Sequence, residues 1–134
     1  MHYMPVEYRE LTEKIIGAAY EVHNILGPGF AERVYRNALI TELKILGISA
    51  KPEYGVTVYY KNEKVGEFSC DIMAEDALII EIKAVENIEP WHEVQLVNYL
   101  NATKTENGLL INFGRSVSVK RKFRKYKPKE IKNE

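Results

Sequence analysis

The sequence predicts a single α/β domain on a mixed sheet, with elements in the order ααβββαβ(β) and an antiparallel meander flanked by helices. Three observations predict it. Two segments with apolar residues at three- and four-residue steps come first. A stretch rich in Val, Thr and Tyr follows, split by two short turns into three strands. A third helical segment then precedes one more short apolar run. At 134 residues and 15.5 kDa the chain has the size of one domain, residues 1–134. A domain this long buries about two-thirds of its unfolded surface and needs no disulfide or structural metal.

Each element has its own signal. Leu11, Ile15, Ala18, Ala19, Val22 and Leu26 form one apolar stripe and predict a helix over 7–26. Gly27-Pro28-Gly29 stops it, because Gly supplies a left-handed cap and Pro cannot continue the ladder. Val34, Ala38, Leu39, Leu43 and Leu46 set the period of a second helix from about Phe30 to Leu46, ended by Gly47. Strands are predicted over 53–60, 65–73 and 78–84, with turns at Asn62-Glu63 and Glu75-Asp76. Pro90 suits the first turn of a helix that runs to about Thr103, with Glu89 at its start. On that helix Trp91 and Tyr99 read as core packing and His92 as a surface residue. Residues 108–113 read as a short buried strand. Val117, Val119 and Phe123 alternate with polar residues, as an edge strand would.

Composition narrows the function classes. One cysteine, Cys70, excludes an intrachain disulfide and a Cys-rich zinc site. The longest aliphatic run, Ala77-Leu78-Ile79-Ile80, is far short of a membrane span, so no membrane partner is expected. Residues 1–5 lack a signal-peptide pattern, and a cytoplasmic protein is expected. The formal net charge of zero hides an asymmetry: residues 114–134 carry nine Lys/Arg against two acids. This basic C-terminal tail, residues 115–134, predicts either a polyanion partner or a tail folded onto an acidic body. Its candidate nucleic-acid contacts are Arg115, Lys120, Arg121, Lys122, Arg124 and Lys125.

The chemistry-bearing residues cluster on the predicted meander. In Glu81-Ile82-Lys83 the alternation of a strand puts Glu81 and Lys83 on one face. A turn near Glu75-Asp76 brings Asp71 opposite residue 80 or 81, where facing Cβ atoms lie ~5 Å apart. Two carboxylates that close repel each other unless a divalent cation or a shared proton relieves them. Oxygen donors so placed suit Mg²⁺ or Mn²⁺, with Lys83 available to hold a phosphate oxygen or orient water. A plain Glu81–Lys83 ion pair accounts for the same residues. Glu32 and Tyr35 share a face of the second helix, where Glu32 also serves as an acidic partner for the helix dipole. Gln95 lies among apolar residues and needs hydrogen-bond partners if buried.

Gly29-x-x-Glu32-x-x-Tyr35, followed by Ala38-Leu39, resembles the signature of the GxxExxY proteins, small prokaryotic domains grouped with the PD-(D/E)XK nuclease superfamily. The resemblance runs from the first helix to about Phe113. The motifs stand in the family's order: GxxExxY, Asp71, Glu81-Ile82-Lys83, then the helix of Gln95, Asn98, Tyr99 and Leu100. It implies a restriction-endonuclease-like core, αβββαβ, in agreement with the order above. It implies that Asp71, Glu81 and the Ile82 backbone carbonyl bind the metal and that Lys83 positions water or stabilises the charged transition state. By the same resemblance, Glu32 completes the acidic cluster and Gln95 supports it. Cys70, where the superfamily pattern has Pro, is a departure.

The expected function is therefore a divalent-metal-dependent nuclease acting on DNA ahead of RNA, with a homodimer as a further expectation. The alternative is a non-catalytic nucleic-acid-binding or protein-interaction module that keeps the nuclease fold. Self-association through Tyr54, Tyr59 and Tyr60 is a third reading.

Overall fold

The computed structural model describes residues 6–125, with eight elements in the predicted order: α1 (Val6–Leu26), α2 (Glu32–Ile45), β1 (Ala50–Tyr60), β2 (Glu63–Ala74), β3 (Leu78–Lys83), α3 (Pro90–Thr103), β4 (Asn107–Phe113) and β5 (Val117–Phe123). Of the basic tail, residues 117–123 form the edge strand β5. Lys127, Lys129, Lys132 and their acidic companions lie outside the described residues, as does the 1–5 segment.

The five strands form one sheet in sequence order, β1-β2-β3-β4-β5. All neighbours are antiparallel except β3 and β4, which run parallel because α3 carries the chain back across the sheet. β3 and β4 are central and buried on both faces, which explains their near-continuous apolar runs. One core cluster joins α1 and α2 to the sheet through Ile15, Tyr35, Leu39, Ile80 and Phe113. A second lies under α3 and joins Val56, Met73, Ile79, Leu96 and Leu110. Among the described residues, no helix is long and apolar enough to cross a membrane.

The meander turns have two consecutive residues at positive φ: Lys61 and Asn62 after β1, Glu75 and Asp76 after β2. Such turns match the right-handed twist of a hairpin. The first is centred one residue earlier than its sequence signal. β2 is twelve residues long but pairs with β3 only over Ile72↔Ile80, Met73↔Ile79 and Ala74↔Leu78. The rest of β2 pairs with β1 alone, so a two-stranded ribbon projects past the sheet.

Three expectations for the helices are corrected. α2 begins at Glu32 rather than Phe30, because Gly29 has φ +108° and Ala31 is extended. His92 is buried, not a surface residue: its Nδ1 accepts a hydrogen bond from the Glu89 backbone N–H at 2.8 Å and caps α3. Trp91, expected in the core, is 59% exposed and lies beside the His92 ring.

Candidate active site

β2 and β3 part at the position where the register brings the acids face to face. Their ladder ends at Ile72↔Ile80, so the next facing pair is Asp71 and Glu81. At this pair, carboxylates take the place of a carbonyl partner. The Asp71 backbone N–H donates to Glu81 Oε2 at 2.8 Å, and the Ile82 N–H donates to Asp71 Oδ2 at 2.7 Å. Each acid is thus held by the backbone of the opposite strand, and each keeps its second oxygen free of any hydrogen bond to a described residue.

Side-chain alternation slips at the same point. Ile72 and Ala74 belong to the cluster beneath α1 and α2, while Cys70 and Met73 both belong to the cluster beneath α3. Asp71 stands at this slip, opposite Glu53, whose φ of 51° kinks β1. The β2–β3 ladder stops beside this irregularity, and the two carboxylates occupy the place of its next rung.

The gap is electrostatically tense. Burial pushes the Glu81 carboxyl up to about 8, and the nearby charges of Asp71 and Glu32 add to the rise. The Asp71 N–H and Lys83 oppose it. Asp71 is also raised, again chiefly by burial, against the pull of the Ile82 N–H, Lys83 and Arg36. Burial and these two acids together push the Cys70 thiol up to about 12, so it stays a neutral, inert thiol. Two desolvated carboxylates with free oxygens, near a cation that neutralises them only in part, form a hard-oxygen donor set that fits a divalent ion. Among the described residues, no group of three or more His, Cys, Asp or Glu side chains is clustered tightly enough to hold a metal. The donors at hand are the two carboxylates and backbone oxygen.

The expected site residues are placed as follows. Lys83 is half-buried, feels both acids, and makes no ion pair with a described residue. Glu32 is exposed in the first turn of α2, and its charge reaches Glu81 without closing a three-carboxylate cluster. Gln95 is half-buried on α3 and has no hydrogen bond to either acid. Tyr99, one turn further along α3, packs on the cluster that contains Cys70 and is raised by burial and then by the charges of Glu81, Cys70 and Asp71.

Tyr35 has a structural task. It is fully buried and stacked on Phe113, with ring centroids 4.6 Å apart and planes within 4°. Its hydroxyl donates to the Gly27 carbonyl at 2.6 Å and accepts from the Phe30 N–H at 3.1 Å. It therefore clamps the loop before α2 and so sets where Glu32 begins the helix. Gly29, Glu32 and Tyr35 divide between shaping that loop and lending a charge to the site.

Sequence reasoning missed Arg36 and Glu53, which form a 3.5 Å ion pair beside Asp71. Arg36 lies one helical turn beyond Glu32, a spacing that could have revealed it. Nothing in the sequence marks the left-handed conformation of Glu53. Asn112, also unremarked, holds the loop after β3 by bonding both the N–H and the carbonyl of Val85.

The basic residues divide into two groups. Lys122 and Lys120 lie 3.0 and 4.0 Å from Glu93 on α3, and Arg124 lies 3.2 Å from Glu106. Arg115, Arg121 and Lys125 are exposed. This part of the basic stretch is folded onto the body and partly neutralised there.

A family model of the PD-(D/E)XK nuclease superfamily matches residues 9–126. No curated protein matches the chain. Among solved structures, the crystal structure of SSO0001 is similar, with a TM-score of 0.55 and 18% identity. That match covers 91% of this chain and 62% of that one, so this chain spans less than two-thirds of its length. At this identity the likeness is one of fold.

Proposed function

The chain belongs to the PD-(D/E)XK nuclease superfamily and has its restriction-endonuclease-like core, and on that premise we propose that it hydrolyses phosphodiester bonds in DNA with the aid of a divalent cation. The observation that carries this reading is the exchange of carboxylate-to-backbone hydrogen bonds between Asp71 and Glu81. It holds two acidic oxygens side by side in a gap of the sheet while leaving their other oxygens free.

Asp71, Glu81 and the Ile82 carbonyl would hold Mg²⁺ or Mn²⁺. When bound, such an ion supplies a lowered water pKa and offsets charge building on the phosphate. The chain's own residues do the rest. The Asp71 and Ile82 N–H groups fix the carboxylates so that neither swings away when charged. Lys83 sets its ammonium against the phosphate oxygens and orients the attacking water. Glu32 and Gln95 support the site from α2 and α3. Arg115, Arg121 and Lys125 are the first phosphate contacts, and Lys120, Lys122 and Arg124 join when they exchange their carboxylate partners for the strand. Such contacts weaken steeply with added salt.

The test is a cleavage assay on plasmid, linear and single-stranded DNA and on RNA, with Mg²⁺ or Mn²⁺. Asp71→Ala, Glu81→Ala and Lys83→Ala should each cost on the order of 10²-fold or more. Activity left intact by all three would defeat the mechanism. Nucleic-acid binding with no Mn²⁺ uptake by calorimetry and no cleavage would instead identify a binding module.

A further inference from the structure

Two aromatic rings meet on the α3 side of the ribbon that carries Asp71: Phe68, and Tyr99, whose inner face packs on the cluster beneath α3. Phe68 is 54% exposed on the β1–β2 ribbon, so about half of a large apolar ring faces water. It lies on the α3 side, opposite the buried Val56, and its ring centroid is 6.1 Å from that of Tyr99 at 34°. Phe68 precedes Asp71 by three residues on β2, about 10 Å along the strand. Tyr99 reaches the ring from α3, where it packs on the cluster that contains Cys70, the residue next to Asp71. The pair forms a short aromatic wall, part exposed, on the stretch of ribbon that leads to Asp71. Further out along the ribbon, Tyr60 is also exposed, with the Lys61 ammonium 5.4 Å from its ring centroid.

We infer that Phe68 and Tyr99 form a stacking platform for an unpaired nucleobase adjoining the phosphate at the Asp71–Glu81 gap, which makes single-stranded DNA the preferred substrate. This rests on the phosphodiester reading of that gap and adds the strand type. Every base has a π-face that an aromatic ring can stack on, so the platform selects for strand type without selecting for sequence. A duplex hides those faces against neighbouring bases and must be unstacked before one can reach the wall. The wall supplies stacking but no hydrogen-bonding edge for reading base identity.

The experiment measures binding in a cleavage-blocked background, so that it does not depend on hydrolysis. The full-length Glu81→Gln protein is titrated against three fluorescein-labelled probes of equal length: oligothymidylate, its duplex with oligodeoxyadenylate, and a strand of abasic sites. Anisotropy should show oligothymidylate binding roughly tenfold tighter than the duplex or the abasic strand. Adding Phe68→Ala should remove that advantage, while Phe68→Trp should keep it. Phe68 is exposed, so its truncation leaves the core intact, and circular dichroism confirms the fold. The inference is overturned if the abasic strand binds equally well, if Phe68→Ala keeps the single-strand advantage, or if no probe binds. A wild-type protein that cuts duplex DNA, with Phe68→Ala cutting equally well, overturns the platform and leaves the nuclease reading standing. Base-dependent binding lost in Phe68→Ala, with no cleavage by the wild type, supports the platform and overturns the nuclease reading.

Discussion

Leu78–Ile80 and Glu81–Lys83 are the two halves of one six-residue strand, β3, and different chemistry holds each. The first half is paired on both sides: with Ile72–Ala74 of β2 and with Asn107–Leu109 of β4. The second half keeps its β4 partners, Leu110 to Asn112, but on the β2 side the backbone ladder gives way to two carboxylates. The difference teaches how a rigid sheet presents acids. One edge of the strand is anchored fully, and the other is opened at a single register position. The acids are thus fixed to the backbone itself, and the neighbouring apolar half supplies the stability their burial consumes.

The contrast can be broken most strongly in the apolar half. Ile80→Ala should lower unfolding free energy by about 2–5 kcal/mol in urea titration, through lost burial and a cavity between the sheet and the α1/α2 layer. A loss there no larger than that of Glu81→Gln would refute the division of labour.

Next in size is the loop clamp on α2. Tyr35→Phe keeps the ring stacked on Phe113 but removes the hydroxyl that serves Gly27 and Phe30. It should cost about 1–3 kcal/mol, because the Phe30 N–H loses its partner. Equal stability of the two proteins would show that water replaces the hydroxyl.

The acidic half should reveal itself through pH. The Glu81 value of about 8 stands above its ordinary 4.5, and Asp71 is raised as well. The folded protein therefore holds protons that the unfolded chain has released. Their stabilising contribution is full below the unfolded values and is lost as pH rises through about 8. The Tm of the metal-free protein should fall between pH 5 and 8, and Glu81→Gln should flatten that fall. Mg²⁺ or Mn²⁺ should raise Tm most at the alkaline end, where both acids carry charge. A slope unchanged in Glu81→Gln would place its source elsewhere.

The smallest effect sharpens the comparison at the sheet's far edge. Glu93→Gln removes the partner of Lys120 and Lys122 and should change stability by about 1 kcal/mol or less. It should also strengthen DNA binding at low salt, as two cations are released for phosphate. Weaker binding would mean that Glu93 positions those lysines for DNA.

The facing of Asp71 and Glu81 was legible to within one residue, because register in a hairpin follows by counting outward from its turn, and the turn at Glu75-Asp76 is written in local residue types; the ladder of the fold chose residue 81 over residue 80. The surroundings of that pair were less legible. The burial of His92 depends on a capping bond to Glu89, a geometry that an isolated histidine does not announce. The ion pairs of Lys120 and Lys122 with Glu93 join β5 to α3, and charge counting along the tail could not assign them.

Element order, the burial of β3 and β4, and the approach of Asp71 to residue 80 or 81 were determined by sequence alone, because periodicity and turn chemistry act over a few residues. The opening of the ladder at Asp71, the Tyr35–Phe113 stack and the Phe68–Tyr99 wall were decided only in three dimensions. Each of these depends on segments distant in the chain meeting at a particular angle. Packing and sheet twist set that angle, and neither has a local signature.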